Sequence, residues 1–299
     1  MTVRITQNML NTTLLYDLQN VSSQLQNSEQ ELSSGYKLNQ PSDDPYGASQ
    51  ALKLRADLAS NQQYQSNVSD ANSWQSVADT ALGDIGDSIE RARDLVIQGG
   101  NDTNDSSDRQ AIVTELTQLI DSIKTDANTQ YAGRYVFSGT ATNTQPYQLG
   151  TNDAYAGNTA TITREIGAGV QVSINQSGSS IIGDDTSGLL ATLRTVVNDL
   201  QSGNTNALNT TDLSAIDSAN DTLLNARAQV GALSDRLTTA TNRLQQTEQS
   251  TTQLLSNVQD ADMTQVMINF STQQAAYQAA LRAGAQIIQP SLMDFLTSS

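Results

Sequence analysis

From Ile216 to Ala261 apolar residues recur at alternating steps of three and four, through Ile216, Ala219, Leu223, Ala226, Val230, Leu233, Leu237, Ala240, Leu244, Thr247, Thr251, Leu254, Val258 and Ala261. Twelve of these fourteen positions are apolar in a chain with 37% hydrophobic residues, so the spacing is not a composition effect. A sustained period of 3.5 marks a helix that buries a narrow seam against partner helices. No proline interrupts it, and a helix over 212–261 would run roughly 75 Å at 1.5 Å per residue. That length suits a rod rather than the middle of a compact domain.

Composition points the same way. Aromatic residues make up 4% of the 299, which leaves too little apolar mass for a large spherical core and favours helices with narrow seams. The net charge of −16 argues against nucleic acid, whose phosphates need clustered Lys and Arg, and against anionic membrane surfaces. No apolar run approaches 18 residues. The N-terminal residues lack the apolar stretch of a cleavable secretory signal. Cysteine and histidine are both absent, which removes disulfides, thiolate chemistry, His-based triads and the commonest zinc ligand together. Compositional drift in an acidic, polar chain would have this result, and so would a chain that travels unfolded and must form no adventitious crosslink or metal site.

Along the chain, residues 1–40 read as an amphipathic helix with Leu14, Leu18, Val21, Leu25 and Leu32 on its seam and Ser28 as the one polar interruption. Pro41-Ser42-Asp43-Asp44-Pro45 ends it, with Asp44 as N-cap and Pro45 at the first position of the next helix. Helices are predicted over about 45–66 and 68–98, the latter seamed by Trp74, Ala78, Ala81, Ile85, Ile89, Ala92 and Val96. Gly99-Gly100-Asn101-Asp102 stops that helix, and Ser107 with Gln110 has capping-box spacing for another through Ile112, Leu116, Leu119, Ile123 and Ala127. The short connection makes the two antiparallel neighbours.

The period then changes. Tyr135-Val136-Phe137-Ser138-Gly139 is strand-like, and Ile162 to Ile174 around Gly167-Ala168-Gly169 reads as a hairpin. Helical spacing returns at Leu189, Leu190, Leu193, Val196, Val197 and Leu200. The C-terminal segment carries a second seam on Met263, Met267, Phe270, Tyr277, Leu281 and Ile288. Both ends are low in charge and striped with apolar residues, so they are suited to pair with each other or with other copies.

The fold expected is mainly α, an elongated antiparallel helical bundle or coiled-coil rod built from the N- and C-terminal regions with a small β-rich insert. Its divisions are 1–40 with 262–299 as a terminal assembly domain, 41–134 with 187–261 as the helical rod, and 135–186 as the insert.

Little chemistry is offered. Asp43-Asp44 sits at a helix start, where acids are favoured, and Asp184-Asp185 follows a glycine in a loop, so both pairs read as cap and turn residues rather than as catalysts or cation ligands. Arg91, Arg93, Arg227 and Arg236 lie on helices among many acids; pairing across neighbouring helices is expected, with contact to another subunit as the lesser alternative. No catalytic residue, cofactor or metal is assigned, and the chain is not expected to be an enzyme.

Leu32-Ser33-Ser34-Gly35-Tyr36-Lys37-Leu38-Asn39, followed by Asp43-Asp44-Pro45-Tyr46-Gly47-Ala48, resembles the N-terminal motif of the bacterial flagellin family. Asp94-Leu95-Val96-Ile97-Gln98 and Asn101-Asp102-Thr103 resemble its first long helix and turn. Asn225 to Ala232, Asp260-Ala261-Asp262 and Gln289-Pro290-Ser291-Leu292 are similar to its C-terminal pattern. The Pro-Ser-Asp-Asp-Pro form, Tyr135-Val136-Phe137-Ser138-Gly139-Thr140 and the ending Ser291-Leu292-Met293-Asp294-Phe295-Leu296 resemble the hook-associated branch of that family. The resemblance implies a structural, extracellular subunit of the flagellum. It would be exported unfolded by the flagellar type III apparatus with the help of a chaperone, and would assemble with copies of itself as a ring between hook-associated protein 1 and the first flagellin subunits. A filament-forming flagellin with a reduced outer domain is the alternative, and a carboxylate hydrolase on a coiled coil a distant one.

Overall fold

The computed structural model describes residues 7–101 and 103–297, with side chains placed at Met9 and from residue 11 to residue 285. Helix accounts for 72% of the chain and strand for 6%, so the class is mainly α. Helix α1 covers Gln7–Ser34, α2 Pro45–Gly99 and α3 Ser106–Ala127. Strands β1 (Gln130–Tyr131) and β2 (Arg134–Tyr135) form one antiparallel pair, and β3 (Thr163–Gly167) with β4 (Val170–Ser173) another. Helices α4 (Gly178–Ile181), α5 (Gly188–Ser202) and α6 (Thr205–Ala207) lead through a π-helical turn, Leu208–Asp212, into α7 (Leu213–Gln259) and α8 (Met263–Thr297). Contacts divide the chain into two units, Ser60–Thr247 and the two ends, 1–59 with 248–299.

The Ser60–Thr247 unit holds most of the buried core. The predicted α2 seam, Trp74, Ala78, Ala81, Ile85, Ile89, Ala92 and Val96, is buried throughout, as is the α5 set Leu189, Leu190, Leu193, Val196, Val197 and Leu200. Each large aliphatic residue so buried contributes roughly 2 kcal/mol relative to exposure. On α7 the predicted stripe is buried or packed against the core from Ile216 to Leu244, but Thr247 and Leu254 are exposed. The polar run from Gln245 to Thr252 gives no apolar residue to hold the period there, so the helix continues while its seam lapses.

Three local expectations are corrected. The predicted break near residue 67 is absent, and α2 is one helix. Asn67 does not cap a helix; its amide donates to the Glu165 carbonyl at 2.8 Å. The N-cap of α3 is Asp105 rather than Ser107. Its carboxylate accepts from the Ser107 and Asp108 amides, and Asp108 accepts in turn from the Asp105 amide, closing a capping box two residues earlier than expected. The amide bonds from Asp108 and Ser107 hold the Asp105 carboxyl below the ordinary range. Third, Val136 to Ser138 are buried but form no ladder. The Phe137 carbonyl accepts from the Gly178 amide (2.8 Å) and the Tyr155 hydroxyl (2.8 Å), while Ser138 bridges Ser177 alone. The hairpin predicted around Gly167-Ala168-Gly169 is present, with a bulge between Glu165 and Gly167.

The loop after the first hairpin is pinned by an internal ion cluster. Lys124, wholly buried on α3, donates to the Gly150 (2.7 Å) and Asn152 (3.0 Å) carbonyls and pairs with Asp153. Arg194 of α5 donates to both carboxylate oxygens of Asp153, at 2.6 and 3.0 Å. Burial pushes the Asp153 carboxyl up, but hydrogen bonds from Arg194 and Lys124 outweigh it and hold the group below the ordinary range. Asp212, closing the π-helical turn, is the opposite case. It is 4% exposed and its Oδ2 has no hydrogen-bond partner. Burial, with the neighbouring Asp199 charge, raises its carboxyl to about 6.

Candidate assembly interface of the terminal helices

In the unit formed by the chain ends, α1 and α8 lie antiparallel. The pairing is fixed at three levels. Near the outer end, a Cβ on Gly284 would stand 3.0 Å from Leu14 Cδ2, so the missing side chain lets Leu14 close onto α8. In the middle, the Ser28 hydroxyl donates to Gln273 Oε1 at 2.7 Å. At the inner end, the Ala261 amide donates to the Gly35 carbonyl (3.0 Å), and the Lys37 amide to the Gln259 carbonyl (2.9 Å).

The motif between α1 and α2 explains its own composition. Gly35 takes φ +75°, a left-handed turn that ends α1 at little cost only without a Cβ. Lys37 then donates its ammonium to the Asn257 carbonyl (3.0 Å), and Arg55 donates to Gln259 Oε1 (2.6 Å). Asp43 accepts from the Asn39 and Gln40 amides at 3.1 and 2.8 Å, and Asp44 caps α2 by accepting from the Tyr46 amide at 3.1 Å. Both carboxylates of this pair are therefore occupied in shaping a turn. Asp184 is occupied likewise: it accepts from the Thr186 hydroxyl and from the Thr186 and Ser187 amides, which keep its carboxyl below the ordinary range. Among the described residues no cluster of three or more carboxylates offers a metal site.

The burial pattern selects which stripe of each helix faces the other. On α1, Leu14, Leu18, Val21, Leu25 and Leu32 are all half-buried, and Ser28 between them is buried. On α8 the inward stripe is Val266, Phe270, Gln273, Tyr277, Ala280 and Gly284. The predicted seam shares only Phe270 and Tyr277 with it. Met263, Met267 and Leu281 are not brought into the pair and remain 39%, 61% and 47% exposed, with Ile268 exposed beside them. The side chain of Ile288 lies outside the described residues. The cause is that α8 is apolar on more than one face, so periodicity could not choose between stripes; the Ser28–Gln273 hydrogen bond and the gap at Gly284 choose. A sequence signal for this existed: Ser28 interrupts one stripe and Gln273 the other, and matching the two polar interruptions gives the observed pairing.

The result is a thin helix pair with an apolar seam inside and further apolar residues outside, among them Leu15 and Tyr16 on α1 and Met267, Ile268 and Leu281 on α8. The chemistry such an arrangement offers is that of packing against other helices.

Comparison with known proteins agrees. Residues 5–142 match the bacterial flagellin N-terminal helical region and residues 213–296 the bacterial flagellin C-terminal helical region. The chain belongs to the bacterial flagellin family, and so is a structural, non-enzymatic component of the flagellum. It is similar to flagellar hook-associated protein 3 of Salmonella typhimurium, at 27% identity over 277 residues covering 85% of this chain and 87% of that protein. It is also similar to the flagellin of Bacillus subtilis, at 29% identity over 303 residues covering 96% and 97%. Among solved structures, Bacillus cereus FlgL shares the fold with a TM-score of 0.59 at 23% identity, covering 68% of this chain and 99% of that one. Hook-associated protein 3 of Legionella pneumophila does so with a TM-score of 0.61 at 16% identity, covering 69% and 98%.

Proposed function

We propose that this chain is a junction subunit, assembled as a ring of copies between hook-associated protein 1 and the first flagellin subunits. The observation that carries the reading is its similarity, over most of both lengths, to hook-associated protein 3. The terminal segments, 1–40 with 262–299, act as the assembly domain, residues 41–134 with 187–261 as the helical support and 135–186 as the insert. Leu14, Leu18, Val21, Leu25, Leu32, Phe270, Tyr277 and Ile288 serve the seam of that assembly domain, while Met263, Met267 and Leu281 serve its outer contacts. Export is through the flagellar type III apparatus in an unfolded state, with a chaperone holding the apolar ends; a chain without cysteine cannot be trapped by disulfides on the way.

The similarity to a flagellin over nearly the whole chain supports a second reading, a filament-forming subunit with a small outer region. Addition of the purified chain to isolated hooks capped with hook-associated protein 1 separates the two. A junction subunit adds a bounded layer, on which flagellin then polymerises; a filament subunit keeps elongating on its own seeds. Continuous growth in the absence of flagellin would overturn the junction reading.

A further inference from the structure

The chain has no cysteine and five methionines, Met1, Met9, Met263, Met267 and Met293. All of its sulfur therefore lies in the two terminal segments, and residues 10–262 contain none. The core of the Ser60–Thr247 unit is filled by Leu, Ile, Val, Ala and a few aromatic residues, without the thioethers that commonly fill irregular gaps. The side chains of Met1 and Met293 lie outside the described residues. The other three are exposed, Met9 on α1 and Met263 with Met267 on α8.

Met263 and Met267 stand about one helical turn apart, and Leu281 returns to the direction of Met263 about five turns later. The three form one exposed apolar stripe beside the inward stripe of α8. A leucine at either position would supply similar apolar area. What methionine adds is a flexible side chain and a sulfur atom that peroxides oxidise.

We propose that Met263 and Met267 are sites of oxidation by peroxide, and that their sulfoxides bar the chain from assembly while leaving its core folded. In the step itself, a sulfur lone pair attacks one oxygen of hydrogen peroxide. The S–O bond forms as the O–O bond breaks, and the second oxygen leaves as water. Sulfur is oxidised by two electrons and the peroxide is reduced. The apolar thioether becomes a strongly polar acceptor, which must shed water to enter a helix–helix contact and finds no assured donor there. The core is indifferent to the same reagent: it holds no sulfur, and its tryptophan, Trp74, is 1% exposed. Oxidation would thus act on assembly and not on folding. The proposal rests on the assembly role given above to the outer face of α8, and adds a chemical condition under which that face fails.

The test is addition of the full chain to isolated hooks capped with hook-associated protein 1, before and after treatment with hydrogen peroxide that is removed before mixing. Peptide mass spectrometry should find one added oxygen at Met263 and one at Met267, and urea unfolding followed by circular dichroism should show an unchanged core midpoint. The treated chain should add at least about tenfold fewer copies per hook, because two sulfoxides must be desolvated in each contact. Reduction by the pair of methionine sulfoxide reductases, one for each epimer, should restore addition. The chain carrying Met263→Leu with Met267→Leu keeps the stripe apolar, and should add within about twofold of the wild type both before and after peroxide. Undiminished addition of the treated wild type, no oxygen gained at either residue, a lowered core midpoint, no rescue by the reductases, or an equal loss in the leucine chain would overturn the proposal and leave the junction reading standing. Failure of the untreated wild-type chain to add would overturn both.

Discussion

The Ser60–Thr247 unit and the α1–α8 pair use the same chemistry to different ends. In the first, Trp74, Leu82, Ile85, Ile120 and Ile123 are fully buried, and even a lysine is taken wholly out of water with three partners. In the second, the leucines of α1 are only half-buried, Ser28 and Gln273 occupy the middle of the seam, and large apolar residues stay outside. A half-buried leucine contributes about 1 kcal/mol, against 2 or more when buried completely. The contrast teaches that apolar content alone does not say where stability lies: α8 is apolar on several faces, but a single partner helix can cover only one. The first unit is built to be stable by itself, while the helix pair, on the function proposed above, is left marginal until neighbouring copies complete it.

Substitutions should break this contrast in a graded way. The largest effect is expected at Asp153. Replacement by alanine leaves Lys124 charged, buried and without its carboxylate, at a cost of about 3–5 kcal/mol, and urea unfolding followed by circular dichroism should show the loss. A cost near zero would mean that water already reaches the cluster.

Asp212 should act in the opposite direction. Its carboxyl is raised above the unfolded value, so the folded state holds the proton between the unfolded value of 3.8 and about 6. The group is therefore neutral and harmless below that window, and stability falls as pH rises through it. Asp212→Asn should stabilise the chain at pH 7.5 by up to about 3 kcal/mol, with the gain gone at pH 3.5. Thermal scans at the two pH values read this directly, and an equal gain at both would refute the assignment.

Within the helix pair the expected effects shrink. Ser28→Ala leaves Gln273 Oε1 without its donor and should cost about 1 kcal/mol, while Leu281→Asp should leave monomer stability unchanged within about 0.5 kcal/mol and yet abolish incorporation into flagella. Normal incorporation of Leu281→Asp would remove the outer face of α8 from the interface. The smallest effect is expected at the exposed Arg93–Asp217 pair, where Arg93→Ala should leave the urea midpoint nearly unchanged, and the difference should vanish at high salt.

Where one face of a helix is clearly apolar, the sequence already locates it. The α5 set and the α7 stripe as far as Leu244 could be read from spacing because polar residues fill the other faces. The α8 stripe could not, because Met267, Ile268 and Leu281 compete with Val266, Phe270 and Tyr277, and a hydrogen bond and a glycine decide between them. The turn roles of Asp43 and Asp44 were legible because caps are local in sequence. The Lys124–Asp153–Arg194 cluster was not, since its members are separated by a loop whose path no local pattern encodes.

The central claim is that the terminal helices gain their stability from neighbouring copies. Amide hydrogen exchange followed by mass spectrometry, on the dilute monomer and on isolated flagella, tests it most directly. The α1 and α8 peptides are expected to exchange within seconds in the monomer and to become strongly protected in flagella, while the α2, α3 and α5 cores are slow in both. Monomer peptides from both ends as protected as the Ser60–Thr247 core would contradict it, and would make the helix pair a self-sufficient part of the fold.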